Sequence, residues 1–168
     1  MISFDVLGTP APKGSGRAML IRSKGAPRAI HVASGSDANK QRLKSWDTSV
    51  REAAVEAIDR AGVPAFVQTP IAVRITFRLA RPGGHWGKTG LRPSAPAFPA
   101  GKPDADKLAR ATIDSLTGTL FDDDARIVSL RVEKRYAEPG REGASIAVVS
   151  MVHAQAAFHG PDSRVTAG

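Results

Sequence analysis

Residues 71–79, Ile-Ala-Val-Arg-Ile-Thr-Phe-Arg-Leu, constrain the fold more than any other stretch. Ile71, Val73, Ile75, Phe77 and Leu79 alternate with Ala72, Arg74, Thr76 and Arg78. One face is therefore wholly apolar and the other carries two arginines. A period of two built on β-branched and aromatic residues is strand spacing. Such a face has to be covered by a second layer. Residues 37–61 supply it: Leu43, Trp46, Val50, Ala54, Ala57, Ile58 and Ala61 fall on one helical stripe, with Lys44, Glu52, Glu56, Asp59 and Arg60 on the opposite side. Ser34 or Ser36 is placed to cap this helix, and Gly62, followed by Pro64, to stop it.

The remaining strands are shorter. Ile2, Phe4 and Val6 alternate with Ser3, Asp5 and Leu7. Residues 17–22 and 28–33 read as a hairpin turning at 23–27. Val128, Leu130 and Val132 alternate with Ser129, Arg131 and Glu133, which predicts a strand packed beside residues 71–79. Residues 137–143 read as a hairpin turn leading into a last apolar strand at 144–152. A second, shorter helix begins at about Asp104, with Leu108, Ala109, Thr112, Ile113 and Leu116 on one stripe and Gly118 past its end. The expected fold class is α+β, a mixed β-sheet packed with two main helices, in one domain over residues 1–152. Residues 81–101, rich in glycine and proline, predict a long flexible loop. Residues 153–168 predict a frayed, disordered tail.

The chain has no cysteine, which excludes disulfides, thiolate zinc sites and cysteine nucleophiles and is compatible with a reducing cytoplasm. No apolar run approaches the length of a membrane span, and the N-terminus lacks the pattern of a secretory signal. The formal charge is +8. Between Pro10 and Arg51 nine basic side chains face two acidic ones, so +7 of that excess lies in one segment. Clustering of this kind suits a phosphate backbone. Lys13, Arg17, Arg22, Lys24 and Arg28 are its first members and are the expected DNA contacts. In the 81–101 loop, Trp86 has two readings: a platform for an unpaired base with Arg81, Lys88 and Arg92 beside it, or a casually exposed ring. His85 reads as a general base or as plain surface.

The chemistry is concentrated in residues 102–128. Asp104 and Asp106 stand two residues apart at the start of the second helix, and Asp122, Asp123 and Asp124 stand before the strand at 128. Two residues apart on a helix is about 200° of rotation, so Asp104 and Asp106 converge only if they straddle the helix boundary. Pro103 favours that by disfavouring helix in the residue before it. Spacing alone leaves two readings. The aspartates serve as helix caps and solvated turns, or a carboxylate at the start of the strand joins the pair to hold a hard divalent cation.

Lys102-Pro103-Asp104-Ala105-Asp106, Asp114-Ser115-Leu116-Thr117-Gly118 and Asp123-Asp124-Ala125-Arg126-Ile127-Val128 together resemble the signature of the RusA-type Holliday-junction resolvases of bacteria, prophages and phages. Residues 6–14 resemble, more weakly, that family's opening strand and Pro-Lys-Gly turn. The resemblance implies a homodimeric, RusA-like, Mg²⁺-dependent endonuclease, with Mn²⁺ as a substitute ion, acting on four-way DNA in recombination and repair in the cytoplasm of a bacterium or phage-infected host. It implies Asp104, Asp106 and Asp124 as metal ligands and Arg110 as a fourth catalytic residue. Two positions depart from the family pattern. Arg110 replaces a lysine, keeping the charge but not the capacity to lose a proton. Lys107 replaces an asparagine, and either meets DNA or points to solvent. A nuclease for flaps or forks, and a DNA-binding protein whose catalytic site has decayed, fit the same residues.

Overall fold

The alternation at 71–79 becomes an inner strand of a four-stranded sheet. The computed structural model describes residues 1–14, 17–21, 29–33, 37–62, 65–66 and 68–152, with backbone alone over 17–21 and 29–33. In chain order the elements are β1 (Ile2–Leu7), β2 (Arg17–Ile21), β3 (Ala29–Ala33), α1 (Asp37–Ala61), β4 (Ile71–Leu79), β5 (Trp86–Gly87), β6 (Gly90–Leu91), α2 (Ala105–Leu116), β7 (Ile127–Tyr136) and β8 (Gly143–Ser150). The main sheet has the order β1-β8-β4-β7. β4 pairs antiparallel with β8 and parallel with β7, so the sheet is mixed and the α+β class holds. The expected hairpin at 17–33 forms as the antiparallel pair β2–β3. The candidate caps Ser34 and Ser36 and the tail 153–168 lie outside the described residues.

The core lies between one face of this sheet and the two helices. Ile2, Phe4 and Val6 from β1, the apolar set of β4, and Ala144, Ile146 and Val148 from β8 face Trp46, Val50, Ala54 and Ala57 of α1 and Leu108, Ala111, Ile113 and Leu116 of α2. Phe77 is fully buried, its ring 6.5 Å from that of Trp46. Truncating a ring so placed typically costs about 3–5 kcal/mol. α2 is buried on a broader arc than its stripe predicted, because Ala111 and Ser115 are covered as well as Thr112. Their hydroxyls stay satisfied: Thr112 Oγ1 accepts the Trp46 indole N–H at 3.0 Å and donates to the Leu108 carbonyl, and Ser115 donates to Ala111.

Two expectations are corrected. Residues 137–143 do not close a hairpin, because β4 lies between β7 and β8. The connection instead crosses the end of β4, where Ala137 N–H donates to the Leu79 carbonyl and the Arg141 carbonyl accepts from Arg78 Nε. It enters β8 at Gly143, whose φ is +151° and where a Cβ would collide with the Val6 carbonyl. Val128 and Leu130 do not reach the core: they are 62% and 47% exposed. β7 is an edge strand with a bulge between its pairings to Ile71 and Ala72, and its first half lies largely uncovered. Among the described residues, no helix is long and apolar enough to cross a membrane.

Candidate functional site

The segment entering α2 is held from below by β7. Lys134 occupies the register position opposite Phe77, where the strand's alternation calls for an apolar residue. Its Nζ donates to the carbonyls of Gly101 at 2.7 Å and Pro103 at 3.0 Å. The Lys13 N–H donates to the Lys107 carbonyl at 3.0 Å, tying the 9–13 turn to the same place. Asp104 is extended, at φ −70° and ψ 139°, and the helix begins at the next residue. The two aspartates thus straddle the helix boundary, as convergence requires.

Capping does not account for Asp104, whose side chain makes no cap hydrogen bond. Its carboxylate instead meets the Lys107 ammonium at 2.8 Å. That contact is the first cause holding the Asp104 carboxyl below the usual carboxylate range, with the charges of Lys107, Lys102 and Lys134 adding to it. Reciprocally, Asp104 raises Lys107 above the usual lysine value. Lys107 makes this pair while its side chain stays 38% exposed. Beside this pair runs a groove of about 410 Å³, walled by the 9–12 turn and by Asn39, Arg42, Lys102, Asp104 and Lys107. Its charged walls are three cations and one aspartate. Arg110 stands exposed one turn after Asp106, on the same side of α2.

The acidic triplet divides its work. Asp122 accepts from the Gln68 N–H and from Arg126 at 3.2 Å, and its carboxyl is held low first by Arg126. Asp123 caps the short 3₁₀ turn Asp124–Arg126, accepting the Ala125 N–H at 2.9 Å. Asp124 is exposed, and among the described residues its carboxylate has no hydrogen-bond or ion-pair partner. Of the three, it is the one free to bind something else.

Within one chain, however, Asp124 does not join Asp104 and Asp106. β7 from Ile127 to Lys134 covers about 23 Å at about 3.3 Å per residue, and the start of α2 is bonded to its Lys134 end. Asp124 precedes the Ile127 end. Even after allowing for the lysine's reach, roughly 15–20 Å separates the carboxylates. The cause is topological: α2 is twelve residues long, about 18 Å. The connection from α2 to β7 folds back on the helix's end, where the Thr119 and Leu120 N–H groups both donate to the Leu116 carbonyl, and it does not run back to the helix's start. Among the described residues no group of three or more histidines or carboxylates gathers as a metal site. A single chain therefore offers Asp104 at the groove and Asp106 in the helix turn beside it, short of the oxygen set a hard cation takes.

The expected DNA contacts fare unevenly. Lys13 is half-exposed and paired with Asp114. For Arg17 only the backbone, in β2, is described, and Arg22, Lys24 and Arg28 lie outside the described residues. Arg51, counted in the basic segment, is a clasp between helices: it bonds Asp47, Thr119 Oγ1 and the Asp114 carbonyl. Sequence reading did not single out Arg42, Lys102 or Lys134. For Lys134 the signal was present, a lysine in an apolar register of a strand.

The 81–101 stretch holds more regular structure than its composition predicted: a 3₁₀ turn at Gly83–His85 and the two-rung ladder β5–β6. Arg81 lies over the Tyr136 ring at 4.0 Å and donates to the Pro96 carbonyl. His85 meets the same ring edge-on at 5.6 Å, so it is not plain surface. These contacts place the loop at the Tyr136 end of β7, the end that also holds Asp104.

No curated protein matches the chain. The family model for endodeoxyribonuclease RusA matches residues 11–147, which take in the groove, α2, the acidic triplet and most of the sheet, and the chain belongs to that family.

Proposed function

We propose that the protein is a divalent-metal-dependent endodeoxyribonuclease that resolves four-way DNA junctions as a homodimer. Each site would join Asp104 and Asp106 of one copy to Asp124 of the other. The observation that carries this reading is the separation of the carboxylates: Asp104 lines a basic groove with Asp106 two residues on in the first turn of α2, while Asp124 stands unengaged at the opposite end of an exposed edge strand.

The edge itself supports the pairing. Val128 and Leu130 are apolar, exposed and next to unpaired backbone, which invites another strand. Two β7 edges paired antiparallel about Leu130 would satisfy the backbone of both and set each Leu130 beside the other and Val128 beside Val132. The same two-fold would carry each Asp124 to the Tyr136 end of the other copy, beside residues 103–106. It would also present two equivalent sites to two symmetry-related strands, as a four-way junction requires.

Three carboxylates so gathered would hold Mg²⁺ or Mn²⁺, which supplies the Lewis acidity that phosphodiester hydrolysis needs. The chain's own cations do the rest. Arg42 and Lys102 hold the strand's phosphates in the groove. Arg110 stabilises charge developing on the scissile phosphate and can do so bidentately. With Asp104 holding an ion, Lys107 would be free to meet a phosphate oxygen. The family implies 5′-phosphate and 3′-hydroxyl products that a ligase can seal.

One observation favours a second reading, DNA binding without catalysis: Lys107 already neutralises Asp104. End-labelled four-way junctions incubated across a Mg²⁺ titration separate the two. Paired, symmetric incisions support the resolvase, one-sided nicks on forks and flaps point to another branched substrate, and binding with no incision at any Mg²⁺ concentration identifies the binding protein.

A further inference from the structure

The loop between β4 and α2 exposes one tryptophan on a braced backbone. Trp86 pairs with Leu91 across the β5–β6 ladder, and the two are 40% and 48% exposed. The Arg92 N–H donates to the His85 carbonyl at 2.9 Å, and its Nε donates to the Trp86 carbonyl at 3.0 Å. His85, next in the chain, is lodged against Tyr136, and Arg81 lies over that same ring. The sequence sets Arg81 and Arg92 beside Trp86 as helpers of a stacked base, whereas the structure uses both to fix the loop. Scattered exposed apolar residues are ordinary on a protein surface. An aromatic–aliphatic pair fixed by two arginines and two rings, at the end of the sheet that bears Asp104, is a pre-organised surface.

We infer that Trp86 is a stacking platform for a nucleobase unstacked at the branch point of the DNA, a reading that rests on the branched-DNA substrate proposed above. A nucleobase offers a flat face that an indole accepts whatever the sequence. A junction exposes such faces where its arms part, and a linear duplex does not. Charge agrees with this occupant, since Lys88 stands at the tip between the two rungs and Lys102 at the foot of the loop. Backbone order agrees as well, because a loop already held in place loses little freedom on binding. Trp86 thereby discriminates branched from linear DNA, and the groove beside Asp104 handles the backbone.

The test compares binding of a four-way junction with binding of a linear duplex of the same sequence, in EDTA so that nothing is cut. Trp86→Ala is expected to weaken junction binding by about tenfold or more, to leave duplex binding unchanged, and to be largely rescued by Trp86→Phe. Equal binding of the junction by Trp86→Ala and wild type overturns the inference. So does an equal loss on junction and duplex, which marks a plain surface contact. A shift of Trp86→Ala to a smaller species in sedimentation also overturns it, by assigning the ring to a contact between copies. A wild-type protein with no preference for the junction contradicts the substrate reading instead, which keeps the two failures distinct.

Discussion

The Lys107 ammonium sits 2.8 Å from the Asp104 carboxylate, at the lip of the groove and on the residue that the family pattern assigns to metal. On the function proposed above, a cation already stands where the divalent ion would bind. Loading the site would then include displacing this side chain.

Replacing Lys107 by the family's asparagine removes that competition. Lys107→Asn is expected to bind Mn²⁺ several-fold more tightly and to reach half-maximal cutting at lower Mg²⁺. Calorimetric titration of both proteins checks the first, independently of activity. Unchanged affinity would mean that the ion pair breaks at no cost and has no bearing on loading. Because both groups lie at the surface, little change in thermal stability is expected.

α1 and α2 are joined by one buried polar contact, from the Trp46 indole N–H to Thr112 Oγ1 at 3.0 Å. Thr112→Val keeps the volume and removes the acceptor, leaving a buried donor unsatisfied. The expected loss is about 1–3 kcal/mol, read from denaturant unfolding. Ser115→Ala removes a hydroxyl that serves only its own helix and should cost less.

Asp5, on the solvent face of the sheet, accepts from Ser145 and Arg78, which together hold its carboxyl below the ordinary 3.8. A depressed carboxyl contributes stability above its unfolded value and loses it as pH falls through the folded one. Asp5→Asn is therefore expected to be less stable than wild type at neutral pH, by about 1 kcal/mol or less given its exposure. The gap should close below pH 3.8. Urea midpoints at pH 7 and in strong acid check both halves.

Long periodic elements were legible in the sequence. α1 and β4 have the bounds their patterns predicted, because each buries one continuous face and nothing else competes for those residues. The start of α2 was legible for a different reason: only a helix boundary between Asp104 and Asp106 lets the pair converge. Topology was harder to read. The alternation of Val128, Leu130 and Val132 shows a strand but not that it lies at an edge, and a turn between two strands in sequence does not reveal that β4 separates them. Whether Asp124 meets Asp104 within one chain was not legible, because the connection from Leu116 to Ile127 is long enough to run either way along α2. Which cations face DNA and which brace the fold was not legible at all. Arg51, Arg81 and Arg92 look like Arg42 in the sequence, and only their neighbours separate clasp from surface.

The account's central claim is that a working site takes carboxylates from two copies. Asp106→Asn and Asp124→Asn are each expected to bind the junction without cutting it. Mixed under conditions that exchange subunits, the two inactive proteins form heterodimers in which one site keeps Asp104 and Asp106 from one copy and Asp124 from the other, all intact. The predicted result is restored incision of the labelled junction, one strand at a time. A mixture that stays inactive while wild type cuts, or an Asp124→Asn protein that cuts at the wild-type rate alone, would contradict it.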